Sequence, residues 1–383
     1  MKKINILHIN HIARTGSGNV IKTITDGLPK SDFSCHTLVW YDFDNYPNTT
    51  SLYTTKKSIR YRQIRYKLAV WLNFLFDWMT PRHININYLH NYKPYIDCDI
   101  VHIHCPQWWY FDWKDLPQIS KEKKVIMTIH DDWITSGNDP VNLYYPYKTK
   151  AQYETRRKIL EKCSIVYIGV SNRCTDKAKK SWIVAHNIAK TIYNGINTSV
   201  FSLNDKLKSR EILWLPLDKR IIISIAGSGS KTNAKWLGYV KKIIKENANS
   251  DCLFLTLWNH ESKKISSSLW EIWYVDHTLV AKYFSAADMF LYPTLMDSFG
   301  LVVAESIACG CPVVTFQTWW VPEIVTHKKN GYIAQYKNYA DLLSWFNWVL
   351  HNPLDKVTLD PKFTQEHMVK EYIQLYKSQL GLS

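Results

Sequence analysis

Short apolar runs alternate with amphipathic stretches along the whole chain. The apolar runs occupy residues 2–10, 36–41, 98–104, 123–130, 164–170, 220–227, 251–258, 289–292 and 313–316. Short runs of this kind are typical of strands buried inside a sheet. Amphipathic patterns between them, as over residues 20–28, predict helices. The alternation therefore predicts an α/β fold.

One strand–helix–strand unit, within residues 285–323, carries the clearest candidate chemistry. Its elements are predicted over Met289–Tyr292, Phe299–Cys309 and Val313–Phe316. Ser298 is a suitable N-cap for the helix, and Gly310 is a suitable C-cap. The loop before the helix is therefore expected at the carboxyl end of a buried strand.

Backbone amides and a carboxylate are predicted in that loop, with a second carboxylate two turns inside the helix. The helix dipole and the free N–H groups of the first residues of a helix favour phosphate. The amides concerned belong to Ser298, Phe299, Gly300 and Leu301. Asp297 and Glu305 add carboxylates, which accept hydrogen bonds from sugar or ribose hydroxyls. Together these groups indicate a nucleotide-sugar ligand.

The same residues carry a family resemblance. Asp297-Ser-Phe-Gly-Leu-Val-Val-Ala-Glu305, followed by Ala308-Cys-Gly-Cys-Pro-Val-Val, resembles the E-x7-E signature of family 4 glycosyltransferases, with Asp in the first acidic position. The resemblance implies the GT-B fold: α/β, with two doubly wound Rossmann-like domains facing a cleft. It also implies that Glu305 binds the nucleotide ribose and that Asp297 lies near the donor sugar and phosphates.

The loop after the first predicted strand contains Gly16 and Gly18. A glycine-bearing loop between strand one and helix one is the usual phosphate site of a doubly wound domain. The resemblance implies that donor phosphate and acceptor meet at this loop. A tight turn without a ligand is the alternative, because two glycines alone are a weak signal.

A histidine, His130, ends the apolar run at 123–130. Doubly wound folds bind ligands just beyond the carboxyl ends of their strands. The resemblance implies that His130 hydrogen-bonds the donor sugar, with Asp131 nearby. A core histidine with satisfied hydrogen bonds is the alternative. Trp108 and Trp109 lie in an aromatic loop that suits stacking on a sugar acceptor, contact with a membrane, or packing as a lid.

The second half of the chain offers lysines for the diphosphate. The resemblance implies a phosphate clamp after the run at 220–227, with Gly227 in the loop and Lys231 or Lys235 as the cation. A leaving nucleoside diphosphate gains negative charge, which a lysine stabilises. Trp319 and Trp320 stand where the family usually has two glycines, and two indoles there are expected to crowd the binding surface.

Residues 56–82 combine basic and aromatic side chains. A helix with basic residues first and bulky aromatic residues after could lie on an anionic bilayer. The candidates for acceptor or membrane contact are Arg60, Arg65, Lys67 and Trp71. A surface helix that packs its apolar half on the sheet is the alternative.

Composition limits the remaining choices. The 383 residues suffice for two domains, and a net charge of +15 implies a polyanionic partner such as nucleic acid, anionic lipid or a phosphorylated substrate. No apolar run is long enough for a membrane span. The eight cysteines form no CxxC pair, so we expect reduced thiols in a cytosolic protein and no metal site.

The segment Lys190–Phe201 resembles the family's junction between domains. We therefore place an acceptor-binding domain at 1–190 and a donor-binding domain at 191–357. Residues 358–383 are expected to form a terminal helix that crosses back to the first domain.

The sequence thus predicts a retaining, metal-independent glycosyltransferase of capsule, lipopolysaccharide or other cell-envelope polysaccharide synthesis. Its donor would be a nucleotide-diphospho-sugar, with no further cofactor, and its acceptor a glycan or a lipid-linked sugar. We expect it in the cytoplasm, peripheral to the inner face of the membrane. The alternatives are a basic nucleic-acid-binding protein, which would lack any known signature, a hydrolase or epimerase of nucleotide sugars, and an inactive subunit.

Overall fold

The computed structural model describes residues 3–13, 16–42, 46–53, 84–106, 110–131, 134–135, 149–181, 187–225, 233–248, 250–258, 262–273, 275–354 and 356–382. The chain divides into two compact units. The first comprises Met1–Gly195 and Gln365–Ser383, and the second comprises Ile196–Thr364. The domain boundaries predicted from the sequence lie after residues 190 and 357.

The first unit contains a seven-stranded sheet in the order β3-β2-β1-β4-β5-β6-β7. All its strand pairs are parallel. The strands are β1 Ile4–Ile12, β2 Phe33–Tyr41, β3 Thr49–Tyr53, β4 Ile100–His104, β5 Lys124–Ile129, β6 Ile165–Gly169 and β7 Ile188–Thr191. Its described helices are α1 Gly16–Gly27, α2 Ile86–His90, α3 Lys93–Asp97, α4 Leu116–Glu122, α5 Thr149–Leu160 and α6 Asn172–Lys180.

The second unit has a seven-stranded sheet in the order β10-β11-β9-β8-β12-β13-β14, parallel except for the β10–β11 pair. The strands are β8 Arg220–Ile225, β9 Cys252–Leu257, β10 Lys263–Lys264, β11 Leu269–Glu271, β12 Met289–Leu291, β13 Val313–Phe316 and β14 Gly331–Ala334. The described helices are α7 Lys206–Ile212, α8 Asn233–Glu246, α9 His277–Ala286, α10 Leu301–Ala308, α11 Val321–Ile324 and α12 Tyr339–His351.

A final helix, α13 (Gln365–Gln379), belongs to the first unit. It packs on α1, where a side chain at Gly27 would collide with Val369. Gln365 Nε2 donates to the Thr23 carbonyl oxygen at 2.9 Å. Tyr372 and Tyr376 of this helix are buried beside polar side chains of β4 and β5.

The strand–helix–strand unit predicted within residues 285–323 is largely present. The strand over Val313–Phe316 is confirmed, and the preceding strand ends at Leu291, one residue earlier than predicted. The helix begins at Leu301 rather than Phe299, so Ser298 as N-cap is wrong. Gly300 occupies the cap position because the loop before it closes on the Asp297 carboxylate instead. No helix within the described ranges combines the length and hydropathy that crossing a bilayer requires.

Candidate active site

The loop between β12 and α10 is held by Asp297. Its Oδ1 accepts hydrogen bonds from the Ser298 amide at 2.7 Å and the Phe299 amide at 3.4 Å. Burial raises the pKa of Asp297, and the bonds from these amides and from Gly300 partly oppose that rise. The amides of Ser298 and Phe299 therefore bond to this carboxylate in the structure, and their role as phosphate donors stays a prediction. The Leu301 amide opens the helix and has no acceptor among the described residues.

Gly300 is required by both conformation and space. Its φ of 69° lies in the left-handed region that favours glycine. A Cβ atom there would lie 2.0 Å from Cη2 of Trp320, whose indole is completely buried. The expectation that both indoles would crowd the binding surface is therefore wrong for Trp320, which packs against Gly300. Trp319 is 63% exposed, and its ring lies 6.4 Å from that of Tyr336.

Glu305 lies on α10 and is 7% exposed. Burial raises the pKa of its carboxyl group to about 8. Nδ1 of His277, at the half-exposed start of α9, lies 4.0 Å from Oε1 of Glu305. No hydrogen bond to the carboxyl group exists within the described part of the chain. A buried acid without such a bond has a strong tendency to accept one from a ligand.

His130 follows β5 at the carboxyl edge of the first sheet, where the sequence placed it. Its Nε2 shares a 2.9 Å hydrogen bond with Nδ1 of His104, and Nε2 of His104 lies 3.2 Å from Nδ1 of His8. Burial lowers the pKa of His130 to about 3, so the ring is neutral at physiological pH.

His8, His102 and His104 are not among the residues predicted from the sequence. The signal was present: residues two apart on β4 face the same side of the sheet, and His8 pairs in register with His102. These three residues are fully buried, and their ligand atoms lie within 4.8 Å of one another. Both nitrogens of His102 bond to hydroxyls, of Tyr376 at 2.8 Å and Thr128 at 2.7 Å. His102 is thus bonded to hydroxyls, whereas His8 and His104 are bonded to each other, and among the nitrogens of the three rings His8 Nε2 is the one without a partner within the described residues.

The glycine loop of the first unit lies at the start of α1. A side chain at Gly18 would lie 1.9 Å from the Ala13 carbonyl oxygen, whereas nothing lies within 4 Å of a Cβ at Gly16. Ser17 Oγ donates to Asn10 Oδ1 at 3.2 Å. Gly18 is thus fixed by the close approach of the helix to the end of β1, and phosphate binding by this loop stays a prediction.

Several predicted residues lie outside the described residues: Arg60, Arg65, Lys67, Trp71, Trp108, Trp109, Gly227 and Lys231. Lys235 belongs to α8, but its side chain is outside the description. The proposed phosphate clamp and the membrane segment therefore stay predictions.

Two family models match the chain. Residues 14–200 match Glycosyltransferase Family 4, and residues 260–368 match Glycosyl transferases group 1. The chain belongs to glycosyltransferase family 4. The predicted family is therefore confirmed, and the two parallel-rich sheets are the GT-B fold that the sequence predicted.

Relatives of this family 4 chain are distant. An uncharacterized glycosyltransferase of Methanocaldococcus jannaschii is 22% identical over 57% of this chain. An uncharacterized 41.2 kDa protein in the cps region of Klebsiella pneumoniae is 22% identical over 51%. The matches span only 60% and 56% of these two relatives. HepE from Anabaena, solved in complex with UDP and glucose, has a TM-score of 0.65 at 12% identity over 98% of this chain and 100% of that one.

Proposed function

We propose that the protein transfers a sugar from a nucleotide-diphospho-sugar to a hydroxyl group of a glycan or lipid-linked acceptor. The observation that carries the proposal is Glu305, a buried carboxyl group without a hydrogen bond from the described residues. It lies on a helix whose start follows the carboxyl end of β12, where doubly wound folds bind nucleotides.

The donor nucleotide occupies this edge of the second unit. Ribose hydroxyls donate to Glu305, which compensates for the burial of its carboxyl group. The diphosphate lies near the Leu301 amide, where the helix dipole favours negative charge. Gly300 allows the phosphate to approach the backbone, since no side chain fits there. UDP is our preferred nucleotide, because the Anabaena protein of the same fold is solved with UDP and glucose.

The reaction is proposed to retain the configuration of the sugar and to need no metal ion. As the diphosphate departs it gains negative charge, which the start of α10 and Lys231 or Lys235 stabilise. The acceptor hydroxyl attacks from the same face of the sugar and loses its proton to a phosphate oxygen. In the first unit, His130 binds an oxygen atom of the substrate.

We place the reaction in assembly of a cell-envelope polysaccharide, in line with the relative from the cps region of Klebsiella pneumoniae. The net charge of +15 suits an enzyme that works at the anionic inner face of a membrane. The basic segment with Arg60, Arg65, Lys67 and Trp71 would provide the contact, and Trp108 and Trp109 would stack on the acceptor.

The test measures the unfolding temperature of the full chain with a panel of UDP-, GDP- and other nucleotide sugars. We expect one nucleotide class to stabilise the protein. Glu305→Ala should weaken binding of that nucleotide sugar about 100-fold, because two hydrogen bonds between ribose hydroxyls and the carboxyl group are lost. Glu211→Ala, on the exposed face of α7, is the control and should bind normally.

Stabilisation by no nucleotide sugar, or unchanged affinity in Glu305→Ala, would contradict the proposal. Free sugar released at the full rate without any acceptor would instead assign the protein to the hydrolases.

A further inference from the structure

Three imidazoles form a hydrogen-bonded chain from the core of the first unit to the carboxyl edge of its sheet. His8 Nδ1 lies 3.2 Å from His104 Nε2, and His104 Nδ1 lies 2.9 Å from His130 Nε2. His8 and His104 have no exposed surface, whereas His130 is partly exposed. The three side chains come from β1, β4 and the residue after β5, which are neighbours in the sheet.

All three rings are neutral, because burial lowers each pKa below its ordinary value. A neutral imidazole has one N–H donor and one bare nitrogen. His104 uses both nitrogens in the chain, so its proton faces either His8 or His130. The choice at His104 therefore fixes the position of the proton on both neighbours.

The inner end of the chain decides that choice. His8 Nε2 is buried and has no hydrogen-bond partner among the described residues. If the proton of His104 were on Nε2 and faced inward, towards His8, then His8 Nε2 would carry an unsatisfied N–H group, which folded proteins rarely contain. If that proton faces outward, His8 Nε2 is a bare acceptor, which is tolerated more often. The outward arrangement places the proton of His8 on Nδ1, that of His104 on Nδ1, and that of His130 on Nδ1.

We propose that His8 and His104 are positioning residues that hold His130 as the Nδ1–H tautomer, so that it presents a hydrogen-bond donor at the edge of the sheet. The oxygen that accepts this hydrogen bond is a substrate oxygen, and that part rests on the proposed function. A phosphate oxygen or a sugar hydroxyl can accept it, whereas a bare nitrogen at the same place would repel a phosphate.

His102 supplies a matched control, because it is equally buried on the same strand but bonds to Tyr376 and Thr128 rather than to His104. Its ring centroid lies only 4.1 Å from that of His104. A variant at His102 therefore perturbs the same region of the core without removing a member of the chain.

The test is ¹⁵N NMR of the full chain with labelled histidine, which distinguishes protonated from bare ring nitrogens. The 14 histidines give a countable set of signals, and the pair that disappears in His130→Asn belongs to His130. We expect a protonated Nδ1 and a bare Nε2 in the wild type. His104→Leu and His8→Leu should each lose this single tautomer, whereas His102→Leu should keep it. His104→Asn, whose amide can donate to His130, should restore it.

A protonated Nε2 on His130 in the wild-type protein would overturn the proposal, and His130→Asn, which assigns the signals, is the one variant that this measurement needs. So would an unchanged tautomer in His104→Leu. One equivalent of ZnCl₂ that moves the signals of His8, His102 and His104 together would assign these residues to a metal instead. The tautomer is measured without substrate, so it can be confirmed even if no nucleotide sugar binds.

Discussion

The two sheets share one type of topology, but one has histidines and the other has carboxyl groups at the carboxyl ends of its strands. In the first unit, the edge after β5 holds His130, backed by His104 and His8. In the second unit, the edge after β12 holds Asp297 in the loop and Glu305 in the helix α10 that follows the loop. The imidazoles bond to one another, whereas the Glu305 carboxyl group has no hydrogen bond from the described residues.

Burial moves the two sets in opposite directions. It lowers the pKa of His8 and His130 to about 3, and it raises the pKa of Glu305 to about 8. Both shifts have one cause, because a buried group avoids its charged form. At neutral pH, burial therefore keeps His130 and its neighbours in one site and Glu305 in the other in their uncharged forms.

The largest expected effect is loss of stability of the first unit in acid. The unfolded chain protonates histidine near pH 6.5, whereas folded His8, His102, His104 and His130 stay neutral far below that value. Stability is therefore present above pH 6.5 and falls as the pH falls towards 3. The extra protons that the unfolded chain binds at these four residues and at His11, whose pKa burial also lowers to about 3, give a slope of about 7 kcal/mol per pH unit. Urea unfolding between pH 7 and pH 5 measures it.

His102→Phe removes one of these protons and should reduce that slope by about one fifth. A free energy of unfolding that does not change between pH 7 and pH 5 would show that the first unit loses no stability in acid. The contrast with the second unit would then disappear.

The second expected effect has the opposite sign and lies in the second unit. Folded Glu305 keeps its proton up to about pH 8, whereas the unfolded chain loses it near pH 4.5. Its contribution to stability is therefore present below pH 4.5 and lost as the pH rises to 8. Glu305→Gln cannot titrate, so its stability relative to the wild type should rise by about 5 kcal/mol across that range. Equal pH profiles for the two proteins would show that Glu305 is charged in the fold.

The third effect concerns the loop that contains Asp297 and Gly300. Gly300→Ala forces a side chain into the Trp320 ring at a positive φ, and should destabilise the second unit by about 3 kcal/mol. The matched control is Gly238→Ala, in the interior of α8 with nothing within 4 Å of its Cβ. That control should stabilise the protein by about 0.5–1 kcal/mol. Thermal unfolding of the two variants measures both changes in stability. Equal changes in Gly300→Ala and Gly238→Ala would contradict the packing of Gly300 on Trp320.

The smallest effect on stability is expected at Trp319, which is 63% exposed. Trp319→Gly should change the free energy of unfolding by less than about 1 kcal/mol. If the indole narrows the choice of sugar, the variant should be stabilised by more members of the nucleotide-sugar panel than the wild type. An unchanged ranking of the panel would show that Trp319 does not select the donor.

Much of the fold follows from local patterns. Apolar runs such as 220–227 and 251–258 predict buried strands, which the structure places at β8 and β9 with slightly shorter bounds. Asp297 and Glu305 could be identified from the sequence because their spacing is local and resembles a family signature. The start of α10 was misjudged by two residues, because Ser298 is a good N-cap by propensity but its amide is captured by Asp297.

The histidine chain was beyond such patterns. His8, His104 and His130 are up to 122 residues apart, and only the strand order β1-β4-β5 brings them side by side. Whether a histidine in a strand is a satisfied core residue or part of a chain depends on its cross-strand neighbours.

By itself the sequence determined the alternation of strands and helices, the family and the acidic loop, because each depends on the order and spacing of nearby residues. The tertiary structure alone decided that Trp320 packs under Gly300 rather than over the binding surface, and that Glu305 is buried without a hydrogen bond from the described residues. It also decided the protonation of both sites, because pKa values depend on how much water and which partners the folded chain leaves around each group.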